Sequence, residues 1–165
     1  MADSIEHKII TAIVARMAAI DGTGNYLTTV ANAEDSRQTW DSGDQEAGRD
    51  SELPAISVFS GKVRSEALDD EGRETVHTMP VTLRGVYPTG DDAADNASTG
   101  RKMMADMMRA IRSDDQWIVA SVPLANYTGE VSHGIEYDSE DSFEITGVEV
   151  EIEVQFTTAK FNLEA

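Results

Sequence analysis

Cysteine is absent from the 165 residues, which excludes disulfides, thiolate zinc sites and cysteine nucleophiles together. Cations are few: 13 bases stand against 31 acids for a net charge of −18, and only four of the bases are lysines (Lys8, Lys62, Lys102, Lys160). Such a surface repels nucleic acid, because phosphate binding needs clustered Lys and Arg. Acid-rich, lysine-poor surfaces suit high salt, where self-repulsion is screened within a few ångström. A halophilic source is therefore one expectation; equal melting temperatures in low and molar KCl would remove it. Long apolar runs are also missing, so no segment is expected to span a membrane. The opening MADSIEHKII places Asp3 and Glu6 where a secretory signal has its basic region, so a soluble chain made in a cytoplasm is expected.

Signatures of chemistry are equally sparse. His7, His77 and His133 lie far apart, and none belongs to a ligand-spaced motif such as H-E-x-x-H. DGTGN has glycines but no lysine with serine or threonine after them, so it is a helix-ending turn rather than a phosphate loop. DSGDQEAGRD and DSEDSFE are rich in oxygen, yet neither fits the twelve-residue calcium loop with glycine at six and glutamate at twelve. No G-x-S-x-G elbow appears. Catalytic, metal-binding and cofactor-binding residues are accordingly expected to be none.

What is present is a clear alternation of periods. In DSIEHKIITAIVARMAAIDG, Ile5, Ile9, Ile13, Met17 and Ile20 recur at helical spacing, with Ile10 and Val14 widening the stripe. Asp3 with Glu6 reads as a capping box and Gly22 as the stop. NYLTTV reads as a short strand. Ala31 to Glu52 is then polar and acidic, a long loop whose one large apolar side chain is Trp40. That tryptophan either tucks under its own loop or anchors in a neighbouring subunit.

ELPAISVFSGKVRSEAL and TVHTMPVTLRGVY bracket DDEGR, which predicts two long antiparallel strands joined by a polar turn. Pro54 and Pro80 lack an amide donor and belong at a strand start, an edge or a bulge. DDAADNASTGRKMMADMMRAIRSD is a second helix, its buried face assigned to Ala93, Ala97, Gly100, Met104, Met107 or Met108, and Ile111. Its methionines are read as core filler. From Trp117 onward the pattern is β-like, with Val131, Ile135 and Tyr137 on one face of GEVSHGIEY. In FEITGVEVEIEVQFTT the apolar parity slips from Phe143 and Ile145 to Val148, which predicts a β-bulge at Thr146-Gly147. The order describes a single domain over residues 1–165, with a long acidic loop at 31–52. Its class is α+β, a mainly antiparallel sheet with two helices packed on one face.

Taken together, ELPAISVFSG, TMPVTLRGVY, the helix RKMMADMMRAIRSD and the closing ITGVEVEIEVQFTT resemble the tail terminator (tail completion) proteins of long-tailed phages and tailed archaeal viruses. The likeness extends from the first helix to the last strand; the acidic insertion at 31–52 and the extreme charge are not part of it. It implies a virion protein at the neck-proximal end of the tail, assembled in the host cytoplasm. Such a protein forms a homo-oligomeric ring, a hexamer, on the last ring of tail tube protein. It ends tube polymerisation and offers its other face to the head-completion or neck protein. Genomic DNA passes through the bore without specific binding. A head–tail connector or stopper of the neck, and a small stand-alone enzyme or ligand-binding domain, are the alternative readings.

The closing strand carries Glu149, Glu151 and Glu153 on one face, about 7 Å apart at the usual strand rise. Under the resemblance they are channel-facing, where carboxylates repel passing phosphates. The plainer reading is the wet side of a half-buried sheet, and repulsion of about 0.6 kcal/mol between neighbours in water makes that inexpensive. Trp40, Arg64 and Arg84 are the candidates for a subunit or partner interface.

Overall fold

A computed structural model describes residues 4–35, 53–68, 74–88, 93–136 and 145–159. Helix α1 (Ile5–Ala18) starts at Ser4, whose hydroxyl accepts the His7 amide at 3.2 Å. The cap is therefore Ser4 rather than Asp3, which lies outside the described residues. A serine oxygen reaching the third helical amide satisfies a donor that the helix itself leaves orphaned. Ile9, Ile10, Ile13 and Met17 are buried as the periodicity requires. The helix ends at Ala18, and Gly22, at φ +72°, turns the chain just beyond it.

NYLTTV does not form a strand. Its one ladder contact is a bridge between Asp21 and Thr29, because the Leu27 and Thr28 amides are taken by the carboxylate of Asp106 instead. The first strand, β1 (Asn32–Asp35), lies inside the stretch expected to be loop and pairs in parallel with β2 (Ala55–Ser60). Positions 36–52, Trp40 among them, fall outside the described residues.

The predicted long strand after Pro54 is broken at 61–63 into β2 and β3 (Arg64–Ala67), and both pair antiparallel with β4 (Glu74–Pro88). Pro80 sits opposite that break. Its carbonyl accepts the Gly61 amide at 2.8 Å, so the donor it lacks would have pointed into the gap, where no ladder bond is forfeited. Helix α2 (Ala93–Arg112) follows, then a two-residue-per-strand hairpin, β5 (Ile118–Val119) and β6 (Val122–Pro123). Strands β7 (Tyr127–Glu136) and β8 (Ile145–Ala159) complete the main sheet, in the order β1-β2-β4-β8-β7 with β3 beside β4.

The fold is α+β, a mixed sheet of mostly antiparallel strands with both helices on one face. Helix α1 lies over β1 and β2, α2 over β7 and β8, and the helices touch each other. Met79, Val81 and Leu83 of β4 and Val148, Val150, Ile152 and Val154 of β8 are buried beneath them. On α2 the buried methionines are Met103 and Met107; Met104, assigned to the core by its spacing, is only partly covered. No bulge occurs at Thr146-Gly147: β8 runs in unbroken register with β4 from Ile145 to Ala159. The irregularity is on its other neighbour, between Glu130 and Ser132 of β7, where Val131 is extruded and exposed rather than facing the core.

Candidate functional site

The face of the sheet opposite the helices carries the carboxylates of β8. Alternation that buries Val148, Val150 and Ile152 turns Glu149, Glu151 and Glu153 the other way, and all three are half-buried. Each has a polar or cationic neighbour. Glu149 lies directly across from Arg84 of β4. Glu151 accepts the Ser132 hydroxyl at 2.6 Å, and Glu153 accepts Arg64 at 2.8 Å. The two arginines proposed for subunit contact thus stand beside carboxylates of their own chain. Two of the three acids thus have an arginine beside them and Glu151 a hydroxyl, leaving the row net acidic; the directly opposed Arg84–Glu149 pair contributes about 0.2–1 kcal/mol.

A second surface follows the β7 edge and was not read from the sequence. Among the described residues, no strand pairs with the outer side of β7. Between it and the end of α2 lies a groove of about 390 Å³, lined by Met108, Ile111 and Arg112 on the helix side and by residues Tyr127 to Glu130 on the strand side. Glu130 sits at its rim, 3.2 Å from Arg112 and 2.6 Å from His133 Nδ1. Tyr127 and Val131 are 55% and 59% exposed, which is unusual for side chains of that size in a sheet.

The β5–β6 hairpin presents further exposed apolar side chains. Ile118, Val119 and Val122 are exposed, and the linking residues Ala120 and Ser121 have φ of 50° and 68°. Two-residue hairpins of this hand normally use Asn and Gly, so Ala and Ser hold the turn against a steric cost. The base of the hairpin holds it in place. Trp117, fully buried, donates from Nε1 to Thr128 Oγ1 at 2.8 Å and lies under the Arg16 guanidinium at 5.2 Å. Arg16 pairs with Asp114 at 2.7 Å, and Asp114 accepts the Ile118 amide at 2.8 Å. Burial raises the Asp114 pKa, but hydrogen bonds from the Ile118 amide and Arg16, the charge of Arg16, and the Gln116 amide outweigh it. The carboxyl therefore titrates below its ordinary value of 3.8.

No protein-family model matches the chain, and no curated protein matches it either.

His77 has the Ser65 hydroxyl at Nδ1 (2.8 Å) and the Thr158 hydroxyl at Nε2 (2.7 Å), with its ring stacked on Phe156. A serine nucleophile needs the imidazole oriented by a carboxylate, and here a second hydroxyl occupies that place. Among the described residues, no three His, Asp or Glu side chains converge as metal ligands. No described helix is long and apolar enough to cross a membrane.

Among the described residues, Asp106 is the one fully buried acid, and sequence periodicity did not find it. Its Oδ2 accepts the Leu27 and Thr28 amides, both at 2.7 Å, and the Thr28 hydroxyl at 2.8 Å; Oδ1 accepts Arg109 at 2.7 Å. It clamps α2 to the loop after α1. The useful signal in the sequence was an acid on the otherwise carboxylate-free helix segment 96–112.

Proposed function

We propose that the chain is a structural subunit of a tailed virus. It caps the tail tube as a homo-oligomeric ring of six copies, ends tube polymerisation and joins the tail to the head-side neck. The observation that carries this reading is the one-sided sheet. Helices cover one face, while among the described residues both edge strands stay open on their outer sides and the far face is lined with charge. Open edges favour pairing with another chain. A head-to-tail contact between unlike edges closes into a ring when its rotation permits. In such a ring one sheet face looks into the bore, and the Glu149, Glu151 and Glu153 row would meet passing DNA there.

An enzyme or ligand-binding reading asks for an enclosing pocket with convergent polar groups. The groove beside β7 is only partly enclosed, and its polar groups, Arg112, Asp115, Thr128 and Glu130, are interspersed with Met108, Ile111 and Tyr127. The ring reading is tested by light scattering and negative-stain microscopy of the chain alone and mixed with tube subunits of the same virus. Six-copy rings with a central bore, and tubes that stop growing once capped, are the expected result. A chain that stays monomeric both alone and with tube subunits refutes it, as does a ring with the three glutamates on its outer wall.

A further inference from the structure

We propose that successive copies join the α2–β7 flank of one subunit to the β1 edge of the next, a basic helix face meeting an acidic strand. The inference rests on the ring reading in requiring copies to associate, and adds which surfaces meet. Its starting point is an anomaly of charge. Of 13 bases in the chain, Arg101, Lys102, Arg109 and Arg112 fall within twelve residues on the exposed side of α2. The only acid between 96 and 112 is Asp106, which is buried. On a protein of net charge −18 this is a concentrated basic patch.

Its orientation follows from the helical repeat. Arg101, Met108 and Arg112 are separated by seven and four residues, close to whole turns, so they share a stripe. Met108 and Arg112 line the groove against β7, so that stripe borders the open edge. Arg112 reaches Glu130 and Arg109 reaches Asp106, whereas Arg101 and Lys102 project with no partner among the described residues. Exposed Tyr127 and Val131 on β7, and Ile118, Val119 and Val122 on the hairpin, supply the apolar centre that a charged rim alone lacks.

The occupant is chosen by charge complementarity. At the opposite end of the sheet, β1 presents Glu34 and Asp35, both exposed, and contains no base. Its outer side is unpaired among the described residues. The two ends of one sheet are thus unlike in charge and each open, as a head-to-tail contact requires. Duplex DNA fits the patch less well. The stripe from Arg101 to Arg112 spans only about 16 Å, and the field of the whole chain repels a polyanion.

The test uses two double variants of the full chain, Arg101→Glu with Lys102→Glu, and Glu34→Lys with Asp35→Lys. Circular dichroism melting first verifies that each folds. Sedimentation velocity at low salt then compares association. Each variant alone is expected to weaken self-association by about tenfold or more, because like charges now face each other. An equimolar mixture is expected to restore it, since each reversed face then meets its complement. If the wild type forms rings and both variants do so equally well, the flank assignment is overturned while the ring reading stands. Variants that dissociate alone but stay apart when mixed overturn the head-to-tail pairing. Loss of a duplex-DNA gel shift in the α2 variant with association unchanged makes nucleic acid the occupant and overturns the proposal. A wild type that remains monomeric alone and with tube subunits removes both this inference and the ring reading.

Discussion

Replacing Asp106 with alanine tests whether the loop after α1 is held by a buried carboxylate rather than by strand pairing. Four hydrogen bonds end on this side chain, which has no exposed surface. Removal strands two loop amides and one hydroxyl, while Arg109 keeps its bond to the Asn25 carbonyl. An unsatisfied buried donor costs about 1–3 kcal/mol, so the three part-buried loop donors together cost about 3 kcal/mol or more, and the half-exposed ion pair adds about 0–1 kcal/mol. Arg109 is 43% exposed and regains water, which pulls the sum toward the lower end. Alanine also favours the helix over aspartate by about 0.6 kcal/mol. The expected net loss is about 3–4 kcal/mol, a large share of the about 5–15 kcal/mol that holds an ordinary domain together.

Asp106→Asn sharpens the test. Its single carbonyl oxygen can keep the three bonds to Leu27 and Thr28, but its amide then faces Arg109 donor to donor, for a loss of about 1–2 kcal/mol. Urea unfolding followed by far-UV circular dichroism measures both, with the m-value verifying that the unfolded ensembles are comparable. An alanine variant within about 1 kcal/mol of wild type would refute the clamp. An asparagine variant as damaged as the alanine one would move the cause from the loop amides to the arginine.

Three further perturbations separate the remaining contributions. Asp114 has a depressed pKa in the folded state, so its contribution is present above the unfolded value near 3.8 and is lost as pH falls through the folded one. Unfolding free energy measured from pH 5 down to pH 2 should fall more steeply for wild type than for Asp114→Asn; equal slopes would contradict this. Gly100→Ala gains helix propensity of up to about 1 kcal/mol, but its Cβ would stand 2.7 Å from the Tyr87 hydroxyl, which donates to the Asn96 carbonyl. Overpacking costs about 1–3 kcal/mol, so calorimetry should register a lower melting temperature, and a rise would mean that the tyrosine yields freely. The Arg64–Glu153 pair has side chains 69% and 41% exposed, so Arg64→Ala should change folding stability by less than about 0.5 kcal/mol in urea titration. A larger loss would mean that the pair is more than a solvated contact.

The legible parts of the fold were those written in period. Helix α1 and the inward face of β8 follow from spacings of four and two, and both lie where those spacings put them. The errors came where one residue's partner is distant in sequence. Asp106 converts NYLTTV from strand to clamped loop across 78 and 79 positions, and local pattern carries no trace of such a partner. The break at 61–63 depends on Pro80 of the neighbouring strand. Val131 was placed on one face with Ile135 and Tyr137 by alternation, yet a bulge flips one residue out and leaves the sequence looking regular. Of the candidate site residues, Glu149, Glu151, Glu153, Arg64 and Arg84 fall on one face, as alternation predicts, but their mutual pairing required the strand order. The hairpin at Ile118–Pro123 was missed because its turn uses Ala120 and Ser121 in place of the usual Asn and Gly.

Charge ties the two surfaces to one proposal. On the open face, Arg84 and Arg64 stand beside Glu149 and Glu153 while Glu151 has only a hydroxyl, so this net acidic face offers little attraction toward another acidic copy. Among the described residues, Arg101 and Lys102 of α2 and Lys62 in the 61–63 break have no anion beside them, and exposed Glu34 and Asp35 lie on β1. Under the proposed pairing, a subunit with oppositely charged flanks would associate sideways. Face-to-face stacking would bring two net acidic faces together without an opposite charge on either side to reward their desolvation. Sideways association of one-sided sheets turns helices outward together or inward together, and the inward alternative would crowd α1 and α2 of every copy into the smallest radius. In the proposed ring, the outward arrangement would leave the polar side of the sheet around the bore, where a row of half-buried glutamates would repel phosphate and the arginines beside them would keep the wall from becoming a single-sign trap for counterions.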